Sequence, residues 1–262
     1  WPVSLAINDN GVYIADSRNY RVLYYAGNST EASLVYGQGG SFSTANNNNG
    51  GISASSMSQP YSVAIYAGDV YITDPNNHRL LNFKWDSTTA TRVYGQGGDF
   101  TTQALNYPSL AESGLYAPYS VTVSASGVYL VDKLNHRVLY YEGTSTTATR
   151  VYGQGGSFNT NTANKGGSVS TATLNNPSGV AVDERGVYIA DNLNNRVLHF
   201  WGSSTTATGV YGQGGNLSSN AINQGAGSGS PSATSLYQPW GVAVYAGRVY
   251  IADMYNNRVL RY

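Results

Sequence analysis

The phrase "ADSRNYRVLYYAG", beginning at Ala15, returns as "TDPNNHRLLNFKW", "VDKLNHRVLYYEG", "ADNLNNRVLHFWG" and "ADMYNNRVLRY". Such a repeat is one structural unit that buries its apolar faces only against neighbouring copies, so it limits the fold more than any other feature. The repeated aspartates, Asp16, Asp74, Asp132, Asp191 and Asp253, are spaced by 58, 58, 59 and 62 residues. Between the Gly-Gly that closes each "YGQGG" and the proline that opens the next copy run 19, 19, 20 and 23 residues. The remainder of the unit is a constant 39 residues. All length variation therefore falls in one connection, as expected of a fixed module joined by a surface loop.

Each unit reads as four short strands. In the second copy they are residues 62–66, 70–74, 79–83 and 91–95, rich in β-branched and aromatic residues and bounded by Gly, Asp-Asn or Ser-Thr turns. "VYIAD" and "RVLYY" are apolar on both faces, which requires a sheet covered on each side. Antiparallel sheets packed face to face around an axis meet that need. The expectation is an all-β chain, a β-propeller of five blades, four of them four-stranded and the last three-stranded, standing alone or within a larger propeller or assembly. One domain spans 1–262, with blades near 1–40, 60–98, 118–156, 177–215 and 239–262. Long loops fill 41–59, 99–117, 157–176 and 216–238.

"PYSVAI…GDVYITDPNNHRLLNF" and "PSGVAVDERGVYIADNLNNRVLHF" resemble NHL repeats: a proline, a short apolar strand, glycine, a strand ending in Asp, then Asn-His-Arg and a second apolar strand. The resemblance runs through essentially the whole chain and implies the propeller fold. It implies little about activity, since NHL propellers serve as protein-binding, RNA-binding and catalytic domains. Family propellers commonly have six blades, whereas five are counted here, and the loop after "GQGG" is longer than usual.

Composition narrows the partners. Only 11% of residues are charged, and 14 basic residues cancel 14 acidic ones. A neutral surface does not attract phosphate backbones or anionic lipid, so no nucleic acid is expected. No apolar run is long enough for a spanning helix, and no membrane insertion is expected. With no cysteine there is no disulfide, zinc knuckle or thiol nucleophile. Three Lys against 23 Tyr, with abundant Asn, Ser, Thr and Gly, reads as an extracellular or cell-surface protein solubilised by hydroxyls and amides. Trp1 lies inside the repeat pattern, so a signal peptide is expected to lie outside these residues. Asn28 and Asn216 head Asn-x-Ser/Thr sequons and are candidate glycosylation sites.

Residues present in every blade are read as structural. The aspartate is expected to accept backbone N–H bonds from the turn that follows it, the asparagine to take the left-handed conformation, and the arginine to pair with the aspartate across the hairpin. These roles fall to Asp16, Asn19 and Arg21; Asp74, Asn77 and Arg79; Asp132, Asn135 and Arg137; Asp191, Asn194 and Arg196; and Asp253, Asn256 and Arg258. His78 and His136 share a slot with Tyr20, Asn195 and Asn257, which marks a packing position rather than a required base. No cluster of His and carboxylates suggests a metal, no catalytic residue is assigned, and no cofactor is expected. "GQGG" lacks the Lys-Ser/Thr and helix of a phosphate loop. Apolar side chains at Phe42, Phe100, Phe158 and Leu217, and at Met57, Leu115, Leu174 and Leu236, are expected to pin the two ends of each loop.

Val3, Tyr61, Tyr119, Ser178 and Trp240 follow the strand-opening prolines and are expected near the channel mouth. The aromatics Tyr61, Tyr119 and Trp240 suit stacking on a sugar or peptide, or simply plug the channel. Three function classes are compatible with this reading. The first is a non-enzymatic extracellular scaffold or adhesion module, the second a glycan- or peptide-binding propeller, and the third a propeller lactonase or lyase. The fifth copy stops at its third strand, so Val259–Tyr262 is expected to offer an unpaired edge to a strand from outside these residues, from a protein partner, another subunit or a continuation of the polypeptide.

Overall fold

The computed structural model describes all of residues 1–262. The chain is all-β, a β-propeller with five antiparallel blades. The first comprises β1 (Pro2–Asn8), β2 (Gly11–Asp16), β3 (Arg21–Ala26) and β4 (Leu34–Gly37). The second comprises β5 (Val63–Tyr66), β6 (Asp69–Asp74), β7 (Arg79–Lys84) and β8 (Arg92–Tyr94). The third has β9 (Pro118–Ser124), β10 (Gly127–Asp132), β11 (Arg137–Glu142) and β12 (Arg150–Gly153), and the fourth β13 (Gly179–Asp183), β14 (Gly186–Asp191), β15 (Arg196–Trp201) and β16 (Gly209–Tyr211). The fifth has three strands, β17 (Pro239–Tyr245), β18 (Arg248–Asp253) and β19 (Arg258–Arg261). Within each blade the strands follow one another as a meander.

The chain divides into two compact units, Trp1–Val128 with Tyr141–Ala148, and Tyr129–Tyr140 with Thr149–Tyr262. In the first, the inner strands β1, β5 and β9 are neighbours in turn. Its core lies between blades one and two. Tyr13, Ala15, Val22, Tyr24 and Tyr36 meet Val63, Val70, Ile72, Leu81 and Phe83, with Met57 of the intervening loop inserted among them. In the second, β13 lies beside β17, and Tyr188, Ala190 and Val197 pack with Leu236, Val249 and Ile251. Apolar side chains on both faces of one strand thus serve two interfaces, which is why these segments do not alternate apolar with polar.

The second strand of every blade leads to the third through one 3-10 turn, Ser17–Asn19 in the first and Pro75–Asn77 in the second. The left-handed residue is the one after the asparagine: Tyr20, His78, His136, Asn195 and Asn257 all have φ between 51° and 54°. The expectation that the asparagine itself turns left-handed is corrected, because its amide is engaged elsewhere. At the exit of the outer strand Gly95 has φ +82°, and a Cβ there would stand 2.9 Å from the His78 carbonyl oxygen. Glycine is the residue that fits this turn.

Candidate functional site

The repeat triad is a local construction. In blade two, Asp74 Oδ2 accepts from Arg79 Nε at 3.0 Å and from Asn77 Nδ2 at 2.7 Å. Asp132 binds Asn135 and Arg137 in the same way, both at 2.7 Å, and Asp191 binds Asn194 and Arg196 at 2.8 and 2.7 Å. Asp253 accepts from Asn256 and Arg258, both at 2.8 Å. In blade one Asp16 accepts from Asn19 at 2.8 Å and Arg21 at 3.1 Å.

The other carboxylate oxygen looks backward along the chain. Asp74 Oδ1 accepts the Ser58 N–H, Asp191 Oδ1 the Asn175 N–H and Asp253 Oδ1 the Tyr237 N–H, at 2.7–2.8 Å. These donors belong to the loop arriving from the preceding blade, not to the following turn as the sequence suggested. The asparagine binds the same loop through a reciprocal amide pair. Asn77 and Asn48 donate to each other, as do Asn194 with Asn164 and Asn256 with Asn223. Arginine completes the clamp, Arg79 Nη2 donating to the Ser56 carbonyl at 2.9 Å. Burial pushes the Asp74 carboxyl up, against the pull of Arg79, Asn77 and the Ser58 N–H.

Two further loop anchors were not legible in the sequence. The glutamine of each "GQGG" is buried: Gln38 donates to the carbonyls of Tyr20 and Asn46, and Gln213 to those of Asn195 and Ala221. The slot residue reaches the connection to the next blade. His78 Nδ1 accepts the Ala117 N–H, His136 Nδ1 the Asn176 N–H, and Asn195 Oδ1 the Gln238 N–H. Imidazole Nδ1 and amide Oδ1 stand at the same reach from the backbone, so His and Asn exchange here. Met57, Leu115, Leu174 and Leu236 are fully buried, as expected of pins. Phe42 is exposed, and its contribution is its carbonyl, which accepts from Arg21 Nη1 at 2.7 Å.

The aromatic residues that the sequence analysis expected near the channel mouth engage one another or nearby cations. Tyr61 and Tyr119 stack at 3.8 Å, and burial together with Tyr61 pushes the Tyr119 phenol up. A cavity of about 390 Å³ adjoins them, lined also by Trp1, Arg18, Gln59 and Asn76. The Arg18 guanidinium lies 4.7 Å from the Trp1 ring centre. Trp240 sits at a bulge in β17, where an extra residue re-aims the side chain. Lys133 Nζ lies 4.4 Å from its ring centre, and burial pulls that ammonium down to about 8. Asp183 pairs with Arg185 in a hairpin turn, and His199 stacks on Tyr188 at 4.3 Å. The two sequon asparagines, Asn28 and Asn216, are exposed.

The last blade presents an edge. β19 pairs with β18 from Asp253↔Arg258 to Tyr250↔Arg261, and no strand lies on its other side. In blade one the equivalent side of β3 pairs with β4, Val22 opposite Tyr36 and Leu23 opposite Val35. Val259 is 68% exposed. No helix is long and apolar enough to cross a membrane.

The family model of the NHL repeat matches residues 174–200 and 236–262. No curated protein sequence matches the chain. Among solved structures, a chain in the crystal structure of the nidogen/laminin complex aligns with a TM-score of 0.62 at 16% identity. The alignment covers 99% of this chain and 74% of that one, and at this identity the likeness is one of fold. Glutaminyl cyclase of Myxococcus xanthus aligns at a TM-score of 0.48 and 9% identity, over 99% of this chain and 88% of that one.

Proposed function

Because this chain is an NHL-repeat β-propeller, we propose that it acts as a non-enzymatic protein-binding module of an extracellular or cell-surface assembly, joined to its partner by strand addition at β19. The observation that carries this reading is the open side of β19, whose counterpart in the other blades is paired. A row of unpaired N–H and C=O groups templates an incoming strand, and side-chain pockets then select it. The exposed Val259 and Arg261 favour a strand that is apolar at its centre and acidic towards one end, Arg258 being held by Asp253. The low charge and the abundance of Tyr, Asn, Ser and Thr suit an amide- and hydroxyl-solubilised surface outside the cell.

Hydrogen exchange at Val259 and Arg261, whose N–H groups point away from β18, tests the proposal, comparing the isolated chain with the particle from its native source. We expect fast exchange in the isolated chain and strong protection in the particle. Equal exchange in the two, fast or slow, rules out strand addition. A second reading, glycan or peptide binding at the mouth, is favoured by the cavity of about 390 Å³ beside Tyr61 and Tyr119. A glycan array and tryptophan fluorescence titration, repeated on Tyr61→Ala, decide it. Glycans at Asn28 and Asn216 are part of the extracellular reading, and an intact mass equal to the bare polypeptide in material from a eukaryotic secretory source excludes them.

A further inference from the structure

Blade two departs from the repeat at a buried position. Its third strand carries Asn82 where Tyr24, Tyr140 and His199 stand in blades one, three and four. Each of those rings lies against the tyrosine of its neighbouring second strand, at 4.5 Å for Tyr13–Tyr24, 4.7 Å for Tyr129–Tyr140 and 4.3 Å for Tyr188–His199. In blade two Tyr71 has Asn82 opposite it instead of a ring. Asn82 is wholly buried, and its Nδ2 has no hydrogen-bond partner. Arg92, opposite Asn82 on the outer strand, is left short as well. The equivalent Arg150 lies 4.7 Å from the Tyr140 ring centre and donates from Nη1 to the Tyr152 hydroxyl at 3.3 Å. Arg92 Nη1 and the hydroxyl of Tyr94, the counterpart of Tyr152, are buried without partners. The guanidinium still acts on the phenols nearby. Burial pushes Tyr71 up to about 12 and raises Tyr94, and Arg92 opposes both shifts.

A cavity of about 260 Å³ opens here, within the first compact unit, its walls including Tyr66, Tyr71, Lys84, Arg92 and Val123. Asp69 also lines it and holds Lys84 Nζ at 2.5 Å, so two cations face one carboxylate and one positive charge stays unanswered. Buried polar groups without partners cost free energy that a ligand of the right chemistry recovers. We propose that this cavity binds a small aromatic carboxylate, its carboxylate on Arg92 and Asn82 and its ring against Tyr71, in the role that Tyr140 has for Tyr129. The head group follows from the guanidinium, whose planar N–H edge matches a planar oxyanion better than a neutral amide or hydroxyl. The body follows from the walls of Tyr66, Tyr71 and Val123 and from the ring that the other blades hold at this position. The volume is smaller than that of a pocket for a drug-sized ligand, which suits a single ring.

Calorimetric titration of the 262-residue chain with sodium benzoate, benzamide and sodium acetate tests the proposal, with Asn82→Tyr and Arg92→Gln as variants. We expect benzoate to bind at one site with a Kd of about 1 mM or tighter. Benzamide keeps the shape without the charge, and acetate keeps the charge without the ring. Each is expected to bind at least about tenfold more weakly than benzoate. Asn82→Tyr restores the ring of blades one and three, so it is expected to abolish benzoate binding without lowering the melting temperature. Arg92→Gln is expected to weaken benzoate at least about tenfold and to narrow its advantage over benzamide. Benzamide binding as tightly as benzoate overturns the role of the charge, and acetate binding as tightly overturns the role of the ring. No heat with benzoate overturns the proposal as a whole. So does an unchanged benzoate affinity in either variant that keeps the melting temperature of the parent.

Discussion

Blades one and two carry the same polar phrase with nearly the same bond lengths, yet different surroundings. The Nε to Oδ2 distance is 3.1 Å for Arg21–Asp16 and 3.0 Å for Arg79–Asp74. One pair meets solvent and the other does not. The geometry therefore comes from the hairpin that contains it, two strands and a 3-10 turn. The burial comes from the loop of the preceding blade. Asp16 shows the difference in its acidity as well. Burial acts to raise its carboxyl, but bonds from Asn19, the terminal ammonium and Arg21 together hold it below the usual carboxylate range. A repeat thus encodes one geometry many times over, while the neighbour decides how much each copy contributes to stability.

The largest effect that separates the two blades is expected from the aspartate. Asp74→Ala leaves the Arg79 guanidinium buried without its carboxylate and strips the Ser58 N–H and Asn77 of their acceptor. Removing one partner of a buried pair costs about 3–5 kcal/mol. Asp16→Ala removes a solvent-screened pair and is expected to cost about 1 kcal/mol or less. Urea denaturation of the two variants checks this, and equal losses break the comparison. Next comes the apolar face. Val63→Ala in the packed sheet is expected to cost about 2 kcal/mol. Leu5→Ala, at the same position in blade one, is expected to stay within about 0.5 kcal/mol, although it deletes the larger side chain. Third is the amide clamp: Asn77→Ala leaves Asn48 unanswered and is expected to cost about 1–3 kcal/mol, and Asn19→Ala a few tenths.

The strands, the blade count and the Asp–Arg pairing were legible because each recurs at a fixed offset, so that every copy repeats the same local choice. Four features were not. The left-handed turn falls on Tyr20 and its equivalents, one residue past the asparagine, because Asn19 and Asn77 spend their amides on the aspartate. The N–H that the aspartate accepts lies sixteen residues upstream in blade two, at Ser58, and nothing local announces it. The buried glutamine of "GQGG" was hidden by its glycines, which draw attention to backbone conformation instead. Phe42 looked like an apolar pin and acts through its carbonyl, since its side chain finds no neighbouring core. Short-range rules capture bonds within a hairpin; the missed ones join a loop to a different blade.

The smallest effect concerns the slot after the clamp asparagine. Blade three has His136 there, blade one Tyr20 with no imidazole to protonate, and blade four Asn195. His136 must be neutral to accept the Asn176 N–H at Nδ1, a bond of 2.9 Å. Burial holds its pKa below the ordinary histidine value and outweighs the opposing pull of Asp132. The unfolded chain, titrating near about pH 6.5, therefore takes up this proton first as the pH falls. The contribution of His136 is fully present above that pH and is lost as the pH falls through its lower folded value. Asp16 is also held low, but as a carboxylate it loses its contribution only in a more acidic window. His136→Asn keeps an acceptor, as Asn195 does toward the Gln238 N–H at 2.9 Å, and removes the titration. We expect the melting temperature of this variant to match the parent near pH 7.5 and to fall less between pH 6.5 and 5. A slope identical to the parent's in that window shows that the acid loss arises elsewhere and that the Nδ1 bond does not govern it.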